Sequence, residues 1–138
     1  MRIVSLDVGT KRIGVAVSDP MGMIAQPYTV IYVLHQKEKT WQKLAELLQL
    51  LEAELIVIGL PRNMNGSYGP KTEEIKAFAT ELQLYTKLEI VFIDERLTTV
   101  IANKALLEGN VSRKNRKEAV DAMAAALILQ TYLDQRKN

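Results

Sequence analysis

The chain has 138 residues, of which 48% are hydrophobic and 25% are charged, and this composition predicts one globular domain over residues 1–138. With no Cys and one His, disulfides and thiolate or His-rich zinc sites are excluded, so any metal would have oxygen ligands. The net charge is only +2, so binding of a polyanion would depend on locally clustered basic residues. No apolar run approaches the length of a membrane span and the N-terminus shows no signal-peptide pattern, which predicts a cytoplasmic protein without membrane contact.

Two apolar runs, Ile3 to Val8 and Ile13 to Val17, predict an antiparallel hairpin closed by the segment Gly9 to Arg12. Asp7 lies inside the first run, where an ionised carboxylate is costly unless it is paired, hydrogen-bonded or bound to a metal. Gly14 would allow a neighbouring element or a substrate to approach Asp7 closely. The alternative is that Asp7 only accepts hydrogen bonds from the backbone amides of the turn.

The remaining chain predicts an α/β fold, with a mixed five-stranded sheet flanked by helices. Its sheet would combine a three-strand meander with two parallel crossover strands, and Pro27 predicts that the third strand lies at an edge. The further predicted elements are strands over Met21–Val33, Leu55–Leu60 and Glu89–Asp94, helices over Lys37–Glu52, Pro70–Leu84 and Glu118–Gln135, a short helix from Thr98 or Thr99 to about Gly109, and a basic loop over Asn110–Lys117.

Acidic residues from distant parts of the chain are expected to converge at one edge of this sheet. Sites in such sheets form at the carboxyl ends of neighbouring strands, where Asp7 lies and where either Asp94 or Glu95 ends the last strand. A final helix packed back over the sheet would bring Asp121 to the same edge. Asp121 has an alternative interpretation, because an acid in the first turn of a helix is stabilised by the helix dipole.

Four segments, LDVGTKRIGVAVSD, IGLPRNMNGSYGP, IDERLTT and DAMAAALILQ, resemble in order and spacing the YqgF (RuvX) family of nucleases, within the ribonuclease-H-like superfamily. The resemblance implies a ribonuclease-H-like five-stranded mixed sheet and an acidic metal site made of Asp7, Glu95 and Asp121. It also implies a metal-dependent nuclease that matures the 5′ end of pre-16S ribosomal RNA, or alternatively a Holliday junction resolvase acting on four-way DNA junctions.

Carboxylates in this arrangement suit phosphodiester hydrolysis. Two Mg²⁺ or Mn²⁺ ions can activate a water molecule and stabilise the leaving oxygen, and they require several carboxylate ligands. Asp7 would bridge the ions, with Glu95 and Asp121 as terminal ligands. These three acids are therefore the predicted catalytic and metal-binding residues.

Basic residues near the predicted edge would bind the nucleic acid, either pre-rRNA or branched DNA. Most of them fall on loops beside the proposed metal site, although charged loop residues are often only solvated. The predicted nucleic-acid contacts are Lys11, Arg12, Arg62, Arg96, Arg113, Lys114, Arg116 and Lys117.

Two other classes of protein share parts of this pattern. The hairpin also resembles the phosphate-contacting hairpin of actin-like ATPases and sugar kinases, but those enzymes use two such domains. A non-catalytic module that binds nucleic acid or ribosomal particles is the second alternative, and the three acids disfavour it because they would repel phosphate. Whether the protein is a monomer or a homodimer stays open.

Overall fold

The computed structural model describes residues 2–61, 69–95 and 113–136, and the side chains of all of these except 95 and 113–116. Five strands and three helices lie within this part of the chain. They are β1 (Ile3–Val8), β2 (Arg12–Ser18), β3 (Ala25–Tyr32), α1 (Lys37–Leu50), β4 (Leu55–Pro61), α2 (Pro70–Leu82), β5 (Glu89–Glu95) and α3 (Arg113–Arg136). None of the helices described here is long and apolar enough to cross a membrane.

The strands form one mixed sheet in the order β3-β2-β1-β4-β5. β1, β2 and β3 pair antiparallel as a meander, whereas β4 pairs parallel with β1 and β5 parallel with β4. The predicted fold class is therefore confirmed. β3 is an outer strand, as Pro27 indicated, and the β2–β3 register shifts so that Val15 pairs with Thr29 while Ala16 pairs with Pro27.

Alternate residues of each strand contribute to two separate cores, one on each face of the sheet. Val4 and Leu6 of β1 pack with α1 and α2, in a cluster that contains Trp41 and Leu44. The ring centroids of Trp41 and Phe78 lie 5.7 Å apart, and both side chains pack in this core.

The opposite face lies beneath α3. Ile3 and Ala16 pack there against the alanines and leucines of the helix, including Ala125 and Leu129. The buried Ser5 hydroxyl also faces α3 and donates a hydrogen bond to the Ala125 carbonyl at 2.5 Å. α3 therefore covers the face of β1 that also carries Asp7.

The start of the last helix differs from the prediction. α3 begins at Arg113, so the predicted loop over Asn110–Lys117 is wrong in its second half, and Asp121 lies in the third turn. The helix-dipole interpretation of Asp121, which required a first-turn position, is therefore wrong. Polar and basic composition suggested a loop, but the same residues are tolerated in a helical turn. The short helix predicted between Thr98 and Gly109 lies outside the described residues.

Candidate metal and nucleic-acid site

Asp7 lies near the carboxyl end of β1, directly opposite Gly14 of β2 in the antiparallel register. Strand alternation places it on the face of Ser5, which contacts α3. Only part of its side chain reaches solvent. The carboxylate that the sequence singled out therefore sits where the hairpin meets the last helix.

Burial raises the pKa of the Asp7 carboxyl from its ordinary 3.8 to about 6. The negative charge of Asp121 contributes in the same direction, whereas the positive charge of Lys71 lowers the pKa. A carboxyl that only accepted hydrogen bonds from turn amides would instead have a lowered pKa. The raised pKa thus disfavours the turn-stabilising interpretation of Asp7.

Gly14 determines how closely α3 approaches the hairpin. A Cβ atom at this position would lie 1.9 Å from the Asp121 carbonyl oxygen, so the helix backbone packs directly on the strand backbone. Any larger residue would push the third turn of α3 away. The glycine therefore allows Asp121 to approach β2, the strand that pairs with β1 at Asp7. This packing confirms the prediction that the last helix folds back over this edge.

The Asp121 carboxylate is held by a basic residue of the hairpin. Nε of Arg12 donates a hydrogen bond to Oδ2 of Asp121 at 2.6 Å, and this hydrogen bond raises the pKa of Arg12 above its ordinary value. One turn earlier on α3, Glu118 accepts a hydrogen bond from the Tyr32 hydroxyl. Arg12 and Tyr32 are paired across β2 and β3. Asp121 and Glu118 of α3 thus bind two residues that are paired in the sheet.

Strand register separates the two acids at the end of β5. Asp94 pairs with Leu60, a member of the core beneath α1 and α2, so Asp94 belongs to the face opposite Asp7. Its neighbour Ile93 belongs to the α3 core. Glu95 ends the strand opposite Pro61, and its side chain lies outside the described residues. Among the side chains that the structure describes, no group of three or more His, Cys, Asp or Glu residues could hold a metal ion.

The predicted nucleic-acid contacts are distributed over several elements. Lys11 is exposed in the β1–β2 turn, Arg12 is bound to Asp121, and Lys117 is exposed on α3. The backbones of Arg113, Lys114 and Arg116 lie in the first turn of α3, and their side chains lie outside the described part of the structure. Arg62 and Arg96 lie outside the described residues. The structure thus places one predicted contact, Arg12, in an ion pair inside the site.

Lys71 is a basic residue of the site that the sequence analysis missed. It lies in the first turn of α2, its ammonium is 3.4 Å from Oγ1 of Thr10 in the hairpin turn, and its charge acts on Asp7. It also forms an ion pair with Glu74 at 3.7 Å. One feature of the sequence could have indicated this role: Lys71 follows Pro70 at the predicted start of a helix that faces the carboxyl edge.

A family model described as RuvX, Holliday junction resolvase, matches residues 1–135. The chain belongs to the RuvX family. It is 50% identical over 138 residues to a Moorella thermoacetica protein named "Putative pre-16S rRNA nuclease", a match covering 98% of this chain and 96% of that one. A Listeria monocytogenes protein of the same name is 47% identical over 135 residues, with coverage of 97% and 98%.

Solved structures of Thermus thermophilus RuvC share the fold of this RuvX protein. The RuvC described as bound to a Holliday junction substrate superposes with a TM-score of 0.57 and 14% identity, covering 100% of this chain and 96% of that one. A second RuvC structure gives the same TM-score with 12% identity. At this identity the likeness establishes the ribonuclease-H-like fold, as expected from the sequence.

Proposed function

We propose that this RuvX protein is a divalent-metal-dependent endonuclease that cleaves phosphodiester bonds of structured nucleic acid, with the 5′ end of pre-16S rRNA as its substrate. The observation that carries the proposal is that folding brings Asp121 of α3 to the strand beside the partly buried Asp7 of β1, close enough for its charge to act on Asp7. The relatives named for pre-16S rRNA support the choice of substrate. Such a substrate implies a cytoplasmic location and contact with ribosomal particles.

The residues present fit a hard divalent cation. Asp7 is largely buried, and the charge of Asp121 helps to raise its pKa, which is what carboxylates sharing a site do before a cation neutralises them. Oxygen is the ligand that Mg²⁺ and Mn²⁺ prefer. We assign Asp7 and Asp121 as two ligands and Glu95 as the third, because Asp94 belongs to the other face.

The chain itself would bind and orient the substrate around these acids. With a pKa of about 6, Asp7 is mainly ionised at neutral pH and able to act as a ligand. Lys11, which is exposed in the hairpin turn, and Lys71, which contacts Thr10 of the same turn, provide positive charge suited to flanking phosphates. Two bound Mg²⁺ or Mn²⁺ ions would supply an activated water and a partner for the leaving oxygen.

Resolution of Holliday junctions is the second candidate function, favoured by the description of the family. Symmetric nicking of a four-way junction needs two active sites, hence a homodimer, whereas trimming of rRNA does not. A non-catalytic binding module stays disfavoured, because adjoining carboxylates repel phosphate.

The test is incubation of the protein with labelled pre-16S rRNA and, separately, with a four-way DNA junction, each with Mg²⁺ or EDTA. We expect Mg²⁺-dependent cleavage near the 5′ end of the rRNA by the wild type. Asp7→Asn, Glu95→Gln and Asp121→Asn should each reduce cleavage by about 10³-fold or more while leaving the chain folded.

Asp94→Asn is the matched control, because it removes a neighbouring acid from the opposite face of β5 and should retain nearly full activity. Full activity of Asp7→Asn would refute the metal site. Cleavage of the junction alone would make resolution the function, and absence of cleavage of either substrate would favour the binding module.

A further inference from the structure

Two consecutive basic residues in the hairpin have different surroundings. Lys11 is exposed in the turn, where its carbonyl accepts a hydrogen bond from the Val33 amide. Arg12 begins β2, and its side chain is only 28% exposed because it lies against α3. The sequence predicts that both residues contact phosphate, but Lys11 is exposed, whereas Arg12 donates its Nε–H to the Asp121 carboxylate.

Arg12 and Gly14 lie two residues apart on β2 and therefore on one face, and both contact Asp121. Gly14 determines where the helix backbone lies, whereas Arg12 contacts the carboxylate. A free aspartate side chain samples several rotamers, and a charge-assisted hydrogen bond at 2.6 Å selects one of them. Tyr32 holds Glu118 in a parallel way, so α3 is fastened to the sheet by two adjoining polar contacts.

We propose that Arg12 is a positioning residue whose Nε–H holds the Asp121 carboxylate in the orientation that a divalent cation requires, and that it is not a contact for nucleic acid. The inference rests on the proposed function, because it takes Asp121 as a metal ligand. Hydrogen-bonding partners of ligating carboxylates commonly support metal affinity by a factor of 10 to 100.

The direction in which metal affinity changes when Arg12 is replaced distinguishes a positioning role from a purely electrostatic one. A positive charge beside a cation site repels the cation, so its removal would by itself tighten metal binding. Loss of positioning would weaken metal binding. Arg12→Gln, which removes the charge and the guanidinium fork, therefore distinguishes the two.

The experiment is calorimetric titration of Mn²⁺ into the wild type, Arg12→Gln, Arg12→Lys and Lys11→Gln at pH 7.5. We expect Arg12→Gln to weaken Mn²⁺ binding by about 10-fold. Arg12→Lys should weaken it less, because the ammonium can still donate a hydrogen bond to Asp121, although without the planar geometry of the guanidinium. Lys11→Gln is the matched control, with one charge lost from the adjoining position and no weakening expected.

A second readout is the salt dependence of binding to a four-way DNA junction in EDTA. Loss of a phosphate contact lowers the slope of log affinity against log salt by about 1. We expect an unchanged slope for Arg12→Gln. Equal or tighter Mn²⁺ binding by Arg12→Gln, or a slope lowered by about 1, would overturn the positioning role.

Failure of the proposed function gives a different result. In that case Mn²⁺ binding would be absent from the wild type, or would survive in Asp7→Asn, and the role of Arg12 would fall with it. Circular dichroism and thermal melting check that each variant is folded. If Arg12→Gln does not fold, Arg12→Lys is judged by the same two readouts.

Discussion

The two faces of the sheet are packed differently. Beneath α1 and α2, the strands present large apolar side chains such as Val4, Leu6 and Ile58, all fully buried. Beneath α3, the same strands present small or polar residues among the apolar ones, including Ser5 and Gly14. One face is a continuous apolar core, whereas the other combines a core with a polar edge.

This difference shows how one sheet can provide both a stable core and the candidate site. Large side chains keep α1 and α2 at an ordinary packing distance, since close-packed interiors leave little room for rearrangement. Small residues let α3 approach until its backbone touches β2, which brings Asp121 near Asp7. On the face beneath α3, small side chains provide less apolar contact but allow this close approach.

Gly14→Ala should produce the largest effect. The added methyl group would meet the Asp121 carbonyl at 1.9 Å, and backbone on both sides cannot rotate away. We expect a loss of stability of about 3 kcal/mol or more, at or above the upper end for overpacking, together with loss of Mn²⁺ binding. Denaturant unfolding and calorimetry measure the two effects. A stable Gly14→Ala protein with wild-type Mn²⁺ affinity would contradict the close packing of α3.

Leu44→Ala tests a change of similar cost in stability on the other face of the sheet. Leu44 lies on the buried side of α1, in the core between this helix and the sheet, so its truncation should cost about 3 kcal/mol. Mn²⁺ affinity, measured where the variant is still folded, should equal that of the wild type. An effect of Leu44→Ala on metal affinity as large as that of Gly14→Ala would show that the two faces are not separable.

Asp7→Asn should stabilise the protein in EDTA at pH 7.5. The raised pKa means that ionised Asp7 costs folding free energy, at most about 3 kcal/mol for a shift of this size. Because neighbouring groups relax, we expect a gain of about 1–2 kcal/mol by thermal melting. Mg²⁺ should stabilise the wild type more than the variant, so that the difference shrinks as Mg²⁺ is added.

The pH dependence of stability tests whether the buried charge of Asp7 causes this destabilisation. The folded-state pKa of Asp7, about 6, lies above its ordinary 3.8, so the folded protein binds the proton more tightly than the unfolded chain. The stability of the wild type relative to Asp7→Asn should therefore rise as the pH falls from about 6 to about 4, and the advantage of the variant should disappear. An advantage that is constant between pH 7.5 and 4 would show that burial of charge is not its cause.

Ser5→Ala should have the smallest effect. It removes the hydrogen bond from Ser5 to the Ala125 carbonyl, a contact that fastens the middle of α3 to β1. We expect a loss of about 1 kcal/mol, typical of one buried hydrogen bond, with little change in Mn²⁺ affinity. A cost near zero in denaturant unfolding would show that this hydrogen bond does not help to hold α3 in place.

The sequence by itself determined the elements and their order. Apolar runs with a period of two marked the strands, a helical period marked α1 and α2, and Pro27 marked the outer strand, because these are local properties of the chain. Asp7 could also be identified locally, since a carboxylate in a buried strand needs a partner wherever the strand packs. The start of α3 was missed because a polar helical turn and a polar loop have the same composition.

Only the tertiary structure decided which residues surround Asp7. Arg12 and Asp121 are 109 residues apart, and their ion pair depends on how α3 packs on Gly14, which no local periodicity encodes. The register of β5 against β4 likewise assigned Asp94 to the opposite face, because a shift by one residue would have reversed it. Lys71 joins the site through the position of α2 at the carboxyl edge. Long-range packing therefore decided the Arg12–Asp121 ion pair and the approach of Lys71, neither of which the sequence predicted.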